Sequence, residues 1–381
     1  MLRLIVVLFV FLSPLASIAD PILIGMHCQS SYLRAGITAI TGSYDVYNED
    51  NLLFTVGTGQ HADITAVSGK VNIFFSGKNH TGFKKLQFKA SASSEFKAQP
   101  AGQKATHRVY KGDLIAFSIN GHLQLVNKLD IEDYVAGVIE AESGAGQLPE
   151  YYKVQAVISR TYALNNRTRH IAEGFEICDA THCQVYHGKP RHEPLAERAA
   201  QATENIIIVD HQINLITAAF HSNCGGHTSN AEEAWSKPVP YLIGRPDTFC
   251  VKMPNHQWQK SIPQEKWQSY LKQKRHSGDL AMTGDGGIIG ECNPLFCHDS
   301  TLYIPLRTMR TDLKLRSTKF EVSHKGEEVI FMGRGFGHGV GLCQEGAMRM
   351  AQLGYTYEDI IHFYYADVHL IPRHMLWFFK E

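Results

Sequence analysis

The chain has 381 residues, with Lys+Arg and Asp+Glu at 37 each and a formal net charge of zero. That balance gives no support for a nucleic-acid or strongly acidic partner. A hydrophobic content of 44% excludes a largely disordered chain, and the length suits one large domain or two smaller ones.

Residues 1–19 read as a signal peptide. Arg3 is the positive n-region, Leu4 to Leu15 is a short apolar run, and Ala-Ser-Ile-Ala precedes Asp20. The run is short for a membrane span, although an uncleaved anchor is the competing reading. The expectation is export to the periplasm or cell-wall space, with a soluble mature chain that has no transmembrane segment. Export permits disulfides among the eight cysteines. Cys224 with Cys250 and Cys292 with Cys297 are the preferred pairs, and Cys28 and Cys343 read as buried thiols.

From residue 20 to 109 the chain reads as a β-rich region. Ile37-Thr-Ala-Ile, Leu53-Phe-Thr-Val and Val71-Asn-Ile-Phe-Phe are β-branched and aromatic, and turn residues separate them. Ala90 to Thr106 is small, polar and Pro/Gly-containing, which predicts an exposed loop. Leu114–Ile119 and His122–Val126 flank Asn120-Gly121, a hairpin signal.

Asp130 to Leu164 predicts a short helix, a Gly-rich turn and a longer helix starting at Pro149. Further on, helix is expected near Pro194–Asn205, strand at Ile206–Val209 and again at Ile213–Phe220, and helix after Pro263. Gly284–Cys297 reads as loop. A Gly-rich loop followed by two helices, with a turn at Gly354, fills Phe331–Leu370. Strands followed by interspersed helices argue for an α+β fold, a β-rich N-terminal part followed by mixed elements forming a cleft.

Four constellations carry chemistry. The first is Glu140 and Glu142, just before the Gly-rich turn. Glu142 ends an apolar run, where desolvation raises a carboxyl pKa and suits a general acid; the competing reading is two solvated helix-end acids. Lys153 and Arg160, seven apart on the next helix, share a basic face. The second is His221-Ser-Asn-Cys-Gly-Gly-His-Thr228, where Ser222 and Thr228 offer hydrogen bonds to sugar hydroxyls. His221 and His227 lack an acid that would complete a familiar metal set. The third, Gly333 to Gly346, resembles a dinucleotide loop only superficially, because no βαβ unit frames it. It reads better as a tight loop bringing His338 and Gln344 into a cleft. The fourth is Cys178-x4-Cys183 with His182 and His170 or His187, a set suited to structural zinc. A disulfide or free thiols are the alternatives.

In order, these motifs resemble the SpoIID/LytB family. The matching stretches are Leu129 to Glu142, Lys153 to Ala163, Cys183-Gln-Val-Tyr-His-Gly188, Phe220 to Thr228 with Trp235, and Gly335 to Ala347. The resemblance implies a catalytic domain over 110–370, followed by a tail at 371–381. It implies a lytic transglycosylase that cuts the MurNAc-GlcNAc bond of peptidoglycan glycan strands, with a preference for strands stripped of stem peptides. Glu142 matches the family's catalytic acid, and Lys153 and Arg160 match its basic positions. Tyr186, Ser222, Thr228, His338 and Gln344 fall in the matched motifs as substrate-binding candidates. Zinc at His170, Cys178, His182 and Cys183 would be structural, since the chemistry requires no cofactor. Two departures stand out. Ser143-Gly144 replaces the usual Met-Pro, and Cys343-Gln-Glu-Gly replaces Ser-Gln-Tyr-Gly, which could alter glycan subsites. The LytB side of the family implies a second reading, a non-catalytic wall-binding protein that stimulates an amidase partner.

Overall fold

A computed structural model describes residues 21–104, 107–235, 237–276, 296–299 and 302–378. The predicted leader and the side chains of the Cys292–Cys297 pair lie outside the described part. The fold is α+β, as read. Among the described residues no helix is long and apolar enough to cross a membrane.

Two largely antiparallel sheets are built from Pro21 to Asp130, with the short strand Ile177–Cys178 added at one edge. The seven-stranded sheet runs Ile177–Cys178, Pro21–Met26, His122–Asp130, Asp113–Ile119, Lys85–Ala90, Ser43–Asn48, Asn51–Gly57. The six-stranded sheet runs Tyr110–Lys111, Glu95–Pro100, Arg34–Thr41, His61–Val67, Lys70–Phe75, Lys78–Phe83. Their inner faces share one core, in which Ile22, Ile24, Ile64, Ile73, Phe88, Phe96 and Leu114 are fully buried. Alternation makes this possible, because successive side chains of a strand point to opposite faces. The Asn120-Gly121 hairpin forms as expected, with φ of 50° and 78°, the left-handed conformations a tight two-residue turn requires.

The expected loop at Ala90–Thr106 instead contains the strand Glu95–Pro100, which buries Phe96, Ala98 and Pro100 on one face. Its small, polar alternate residues conceal a period of two. The seven-stranded sheet also crosses position 110, since Pro21–Met26 pairs with the far end of the hairpin at Leu125–Asp130.

The helices follow from there: α1 (Ile131–Ser143), α2 (Pro149–Asn165), α3 (Pro194–Ala202), α4 (Ala231–Trp235), α5 (Gln264–His276), α6 (Leu306–Asp312), α7 (Gln344–Gln352), α8 (Tyr357–Tyr364) and α9 (Met375–Phe378). The Asp130 side chain caps α1 by accepting the Glu132 N–H at 2.8 Å. The helix buries Ile131, Tyr134, Val135, Val138 and Ile139, each contributing about 1.5–3 kcal/mol of apolar burial. Helices α1, α2 and α3 pack on one another. Ile206–Val209 pairs with His369–Pro372, and its pairing with the expected strand Ile213–Phe220 is one bridge, Val209 to Leu215. Of that second run only Phe220–His221 is strand, and it lies parallel to Leu342–Cys343.

Candidate active site

The two acids singled out in the sequence, Glu140 and Glu142, lie at the end of α1. The segment from Cys183 to Glu193 wraps its last two turns. Gly137 makes the close approach possible: a Cβ there would lie 2.3 Å from the Gly188 carbonyl oxygen and 2.6 Å from the Tyr186 ring. The wrap meets the two acids differently.

Glu140 is taken up by backbone. Its Oε2 accepts N–H groups of Arg191, His192 and Glu193 at 3.0, 2.8 and 2.9 Å, and Oε1 accepts Arg191 N–H at 3.1 Å. Such charge-assisted bonds anchor the loop that leads into α3. An open pocket of about 230 Å³ lies beside it, between Gly137, Glu140 and Ala141 of α1 and His187–Lys189, Arg191 and His192 of the wrap.

Glu142 is held by one hydrogen bond among the described residues, from Val185 N–H to Oε1 at 2.7 Å. Burial raises its pKa above the ordinary 4.5, and the Val185 bond opposes the rise only in part. A carboxyl that is half-buried, partly desolvated and unpaired with any cation among the described residues keeps its proton to higher pH than a solvated one. Because Oε1 accepts from Val185, Oε2 is the oxygen left to carry the proton when the carboxyl is protonated.

The Gly-rich turn after Glu142 is ordered by side chains the sequence did not advertise. Gly144 and Gly146 have φ of 70° and 82°. The Tyr152 hydroxyl lies 2.9 Å from Gly144 O and 3.0 Å from Glu193 Oε2, and Glu193 Oε2 also accepts Gly146 N–H at 2.8 Å. That N–H contact is the main reason the Glu193 pKa is lowered.

The substrate-binding candidates divide. Gln344 begins α7, and its Nε2 reaches the Glu142 main-chain carbonyl at 3.5 Å. Ser222 is half-buried beside it, and its carbonyl accepts Glu345 N–H at 3.0 Å. His338 is half-buried, with ring contacts to His221 and to the exposed Trp235, each at 5.4 Å between centroids. Its Nδ1 accepts Val340 N–H at 3.1 Å, and burial lowers its pKa to about 4, so the ring is neutral near pH 7 with its proton on Nε2. The Lys153 ammonium lies 2.6 Å from Glu150 Oε1 and faces the Tyr357 ring at 5.7 Å.

Three candidates are structural instead. Arg160 is fully buried. Its guanidinium grips Glu132 through Nε at 2.8 Å and through Nη2, and also donates to the carbonyls of Ile206 and Ala200. Heptad spacing from Lys153 placed it on a shared face, but that face points inward at this end of α2, so no sugar reaches it. Tyr186 is 1% exposed, packs on Tyr134 and donates to Asn127 Oδ1 at 3.1 Å. Thr228 is 2% exposed, and its hydroxyl accepts Arg245 N–H at 2.9 Å. Its polarity ties two loops together. His227 is exposed and its Nδ1 contacts Thr228 O.

The two departures of the last motif also lie in the interior. Cys343 is fully buried, and Glu345 is 7% exposed. Glu345 accepts Asn223 Nδ2 at 2.6 Å and Asn255 Nδ2 at 2.8 Å. Both side chains, Cys343 and Glu345, flank Gln344 in sequence and lie in the interior.

The Cys/His loop assembles as the spacing suggested. Ligand atoms of His170, Cys178, His182 and Cys183 all lie within 4.8 Å of one another. Cys183 Sγ is 3.4 Å from His170 Nε2 and 3.7 Å from His182 Nδ1, and Cys178 Sγ is 3.9 Å from His182 Nδ1. Ligands at zinc bond lengths on a tetrahedron stand roughly 3.3–3.8 Å apart, so the donor set fits. Glu173 Oε1 lies 2.5 Å from His170 Nδ1 and thereby directs Nε2 at the cluster. Cys183 is two residues before Val185, so this loop also positions the N–H that holds Glu142.

The geometry defines an α+β protein with a partly desolvated carboxyl near the C-terminal end of α1, held by the backbone that follows a Cys/His loop. The family described as Stage II sporulation protein matches residues 119–209, the stretch that contains α1, α2 and this loop. Over 276 residues the chain is 32% identical to an uncharacterised protein of Brachyspira hyodysenteriae, spanning 69% of this chain and 72% of that one. Over 261 residues it is 30% identical to stage II sporulation protein D of Bacillus subtilis, spanning 64% and 74% respectively. It is also 28% identical to a Bacillus subtilis amidase enhancer, over 60% of this chain and 39% of that protein. The chain belongs to the SpoIID family.

Proposed function

We propose that this protein is an exported lytic transglycosylase acting on peptidoglycan glycan strands, with Glu142 as its only acid and base. The observation that carries the reading is the Glu142 carboxyl: raised in pKa by burial, held by one backbone N–H and, among the described residues, free of any ion pair. The protonated Oε2 donates to the glycosidic oxygen between MurNAc and GlcNAc. The C1–O bond breaks and its electron pair leaves with GlcNAc as a hydroxyl. The 6-hydroxyl of the same MurNAc attacks C1, and its proton passes to the Glu142 carboxylate. The product is a 1,6-anhydro end, no water is consumed, and the acid is regenerated. One carboxylate suffices because the nucleophile is intramolecular, whereas glycoside hydrolysis by water ordinarily uses two. Gln344, Ser222 and neutral His338 would position the sugar, and Lys153 would lend positive charge from the α2 side.

In this reading a zinc ion held by His170, Cys178, His182 and Cys183 supplies folding energy to the loop and takes no part in the reaction. Strands stripped of stem peptides are the preferred substrate. The test is mass spectrometry of products from native and denuded peptidoglycan. Anhydro-muropeptides that disappear with Glu142→Gln support the proposal, and full activity of that variant overturns it.

The likeness to an amidase enhancer favours a second reading, a wall-binding protein that stimulates an amidase without cutting glycan. Glycan binding and amidase stimulation without anhydro ends, unchanged by Glu142→Gln, would establish it instead.

A further inference from the structure

A second group of ligating side chains lies away from the carboxyl and the Cys/His loop. Cys224, Asp247, Cys250 and Cys343 come from three separate segments, yet their ligand atoms all lie within 4.8 Å of one another and all four are buried. Cys224 Sγ is 3.3 Å from Cys250 Sγ and 3.2 Å from Asp247 Oδ2. The first distance is well beyond the roughly 2.05 Å of a disulfide, and all three cysteines are free thiols. The spacings approach those of donors sharing one tetrahedral ion.

The surroundings are those of a ligand shell. Cys224 N–H donates to Cys343 Sγ at 3.3 Å, and Gly226 N–H donates to Cys250 Sγ at 3.3 Å. Such N–H···S bonds support thiolate charge. Asp247 is fixed from both sides: the Tyr364 hydroxyl donates to Oδ2 at 2.9 Å, and Phe249 N–H donates to Oδ1 at 2.9 Å. Gly346 leaves room for this contact, because a Cβ there would lie 2.1 Å from the Tyr364 oxygen and 2.6 Å from Asp247 Oδ2. A fully buried carboxylate facing three sulfurs is costly without a cation at its centre. The nearby Lys319 ammonium is spent on backbone, donating to the Cys224 carbonyl at 3.1 Å and to that of His227.

We propose that Cys224, Asp247, Cys250 and Cys343 bind a second structural zinc ion. Three soft thiolates and one carboxylate on a closed, buried tetrahedron suit zinc. The ion clasps the loop at Cys224 that follows the strand Phe220–His221, the Asp247–Cys250 turn and the strand Leu342–Cys343. Because Gln344 follows Cys343, the clasp fixes the start of α7 and the floor on which Gln344 meets Glu142. The inference does not depend on what Glu142 does.

The experiment counts metal in the purified full chain by mass spectrometry under native conditions. A Cys178→Ser/Cys183→Ser variant disables the Cys/His loop. The folded variant is expected to retain one zinc per chain, and cobalt substitution should give thiolate-to-metal absorption. Adding Cys343→Ser, nearly isosteric, should lower that absorption by about one third, since one of three thiolates is lost. A folded loop variant with no bound metal, a Cys224–Cys250 disulfide in its intact mass, or a cobalt spectrum unmoved by Cys343→Ser overturns the proposal.

Discussion

Glu140 and Glu142 stand two residues apart on the last turn of α1, and one loop wraps both. At Glu140 the loop spends three backbone N–H groups on one carboxylate and makes it an anchor. At Glu142 it supplies a single N–H and burial, leaving an oxygen to carry a proton. Identical side chains are thus met by different numbers of donors, and in the proposed mechanism this divides them into a structural and a chemical role.

The comparison breaks most visibly with Glu142→Gln. Loss of the proton should lower the release of anhydro ends by about 10²–10⁴-fold, with an unchanged circular dichroism spectrum. Arg160→Met tests the inward end of the basic face. It leaves Glu132 without its guanidinium and should cost about 3–5 kcal/mol by denaturant unfolding. Glu140→Gln should cost about 1–3 kcal/mol while the protein that remains folded keeps most of its activity. Tyr186→Phe removes the hydroxyl on Asn127 and should cost about 1 kcal/mol, with KM for glycan unchanged if the ring is core.

The stability that Glu142 contributes depends on pH. The folded Glu142 carboxyl binds its proton more tightly than the unfolded one, because burial raises its pKa. Its contribution to stability is therefore complete below the ordinary value of 4.5 and is lost as pH rises through the folded pKa. Glu142→Gln should remove that loss, so the inactive variant gains stability over wild type at neutral pH. Thermal unfolding at pH 4 and pH 7 reads the difference. Activity of the wild-type protein should fall on the alkaline side of the same pKa as the acid form is depleted.

The α+β class, the helix–turn–helix around Gly144 and the grouping of His170, Cys178, His182 and Cys183 were legible in the sequence. Local patterning governs each of them: period two, caps and turn residues, or a short Cys/His spacing. Contacts made across long separations were not legible. Val185 acts through its backbone N–H and so leaves no residue signature. Arg160 carries the same charge whether its partner is a sugar or the buried Glu132. Cys224 and Cys250 were expected to bond, and their sulfurs are neighbours, but Asp247 and Cys343 join them only through tertiary packing. A Asp-x-x-Cys spacing at 247–250 was the one local hint of that cluster.

The most direct measurement is liquid chromatography with mass spectrometry of denuded glycan strands digested by the wild-type protein and by Glu142→Gln. The wild type should release chains ending in 1,6-anhydro-MurNAc, and the variant should release none above background. Anhydro ends in equal yield from both proteins would contradict Glu142 as the proton carrier.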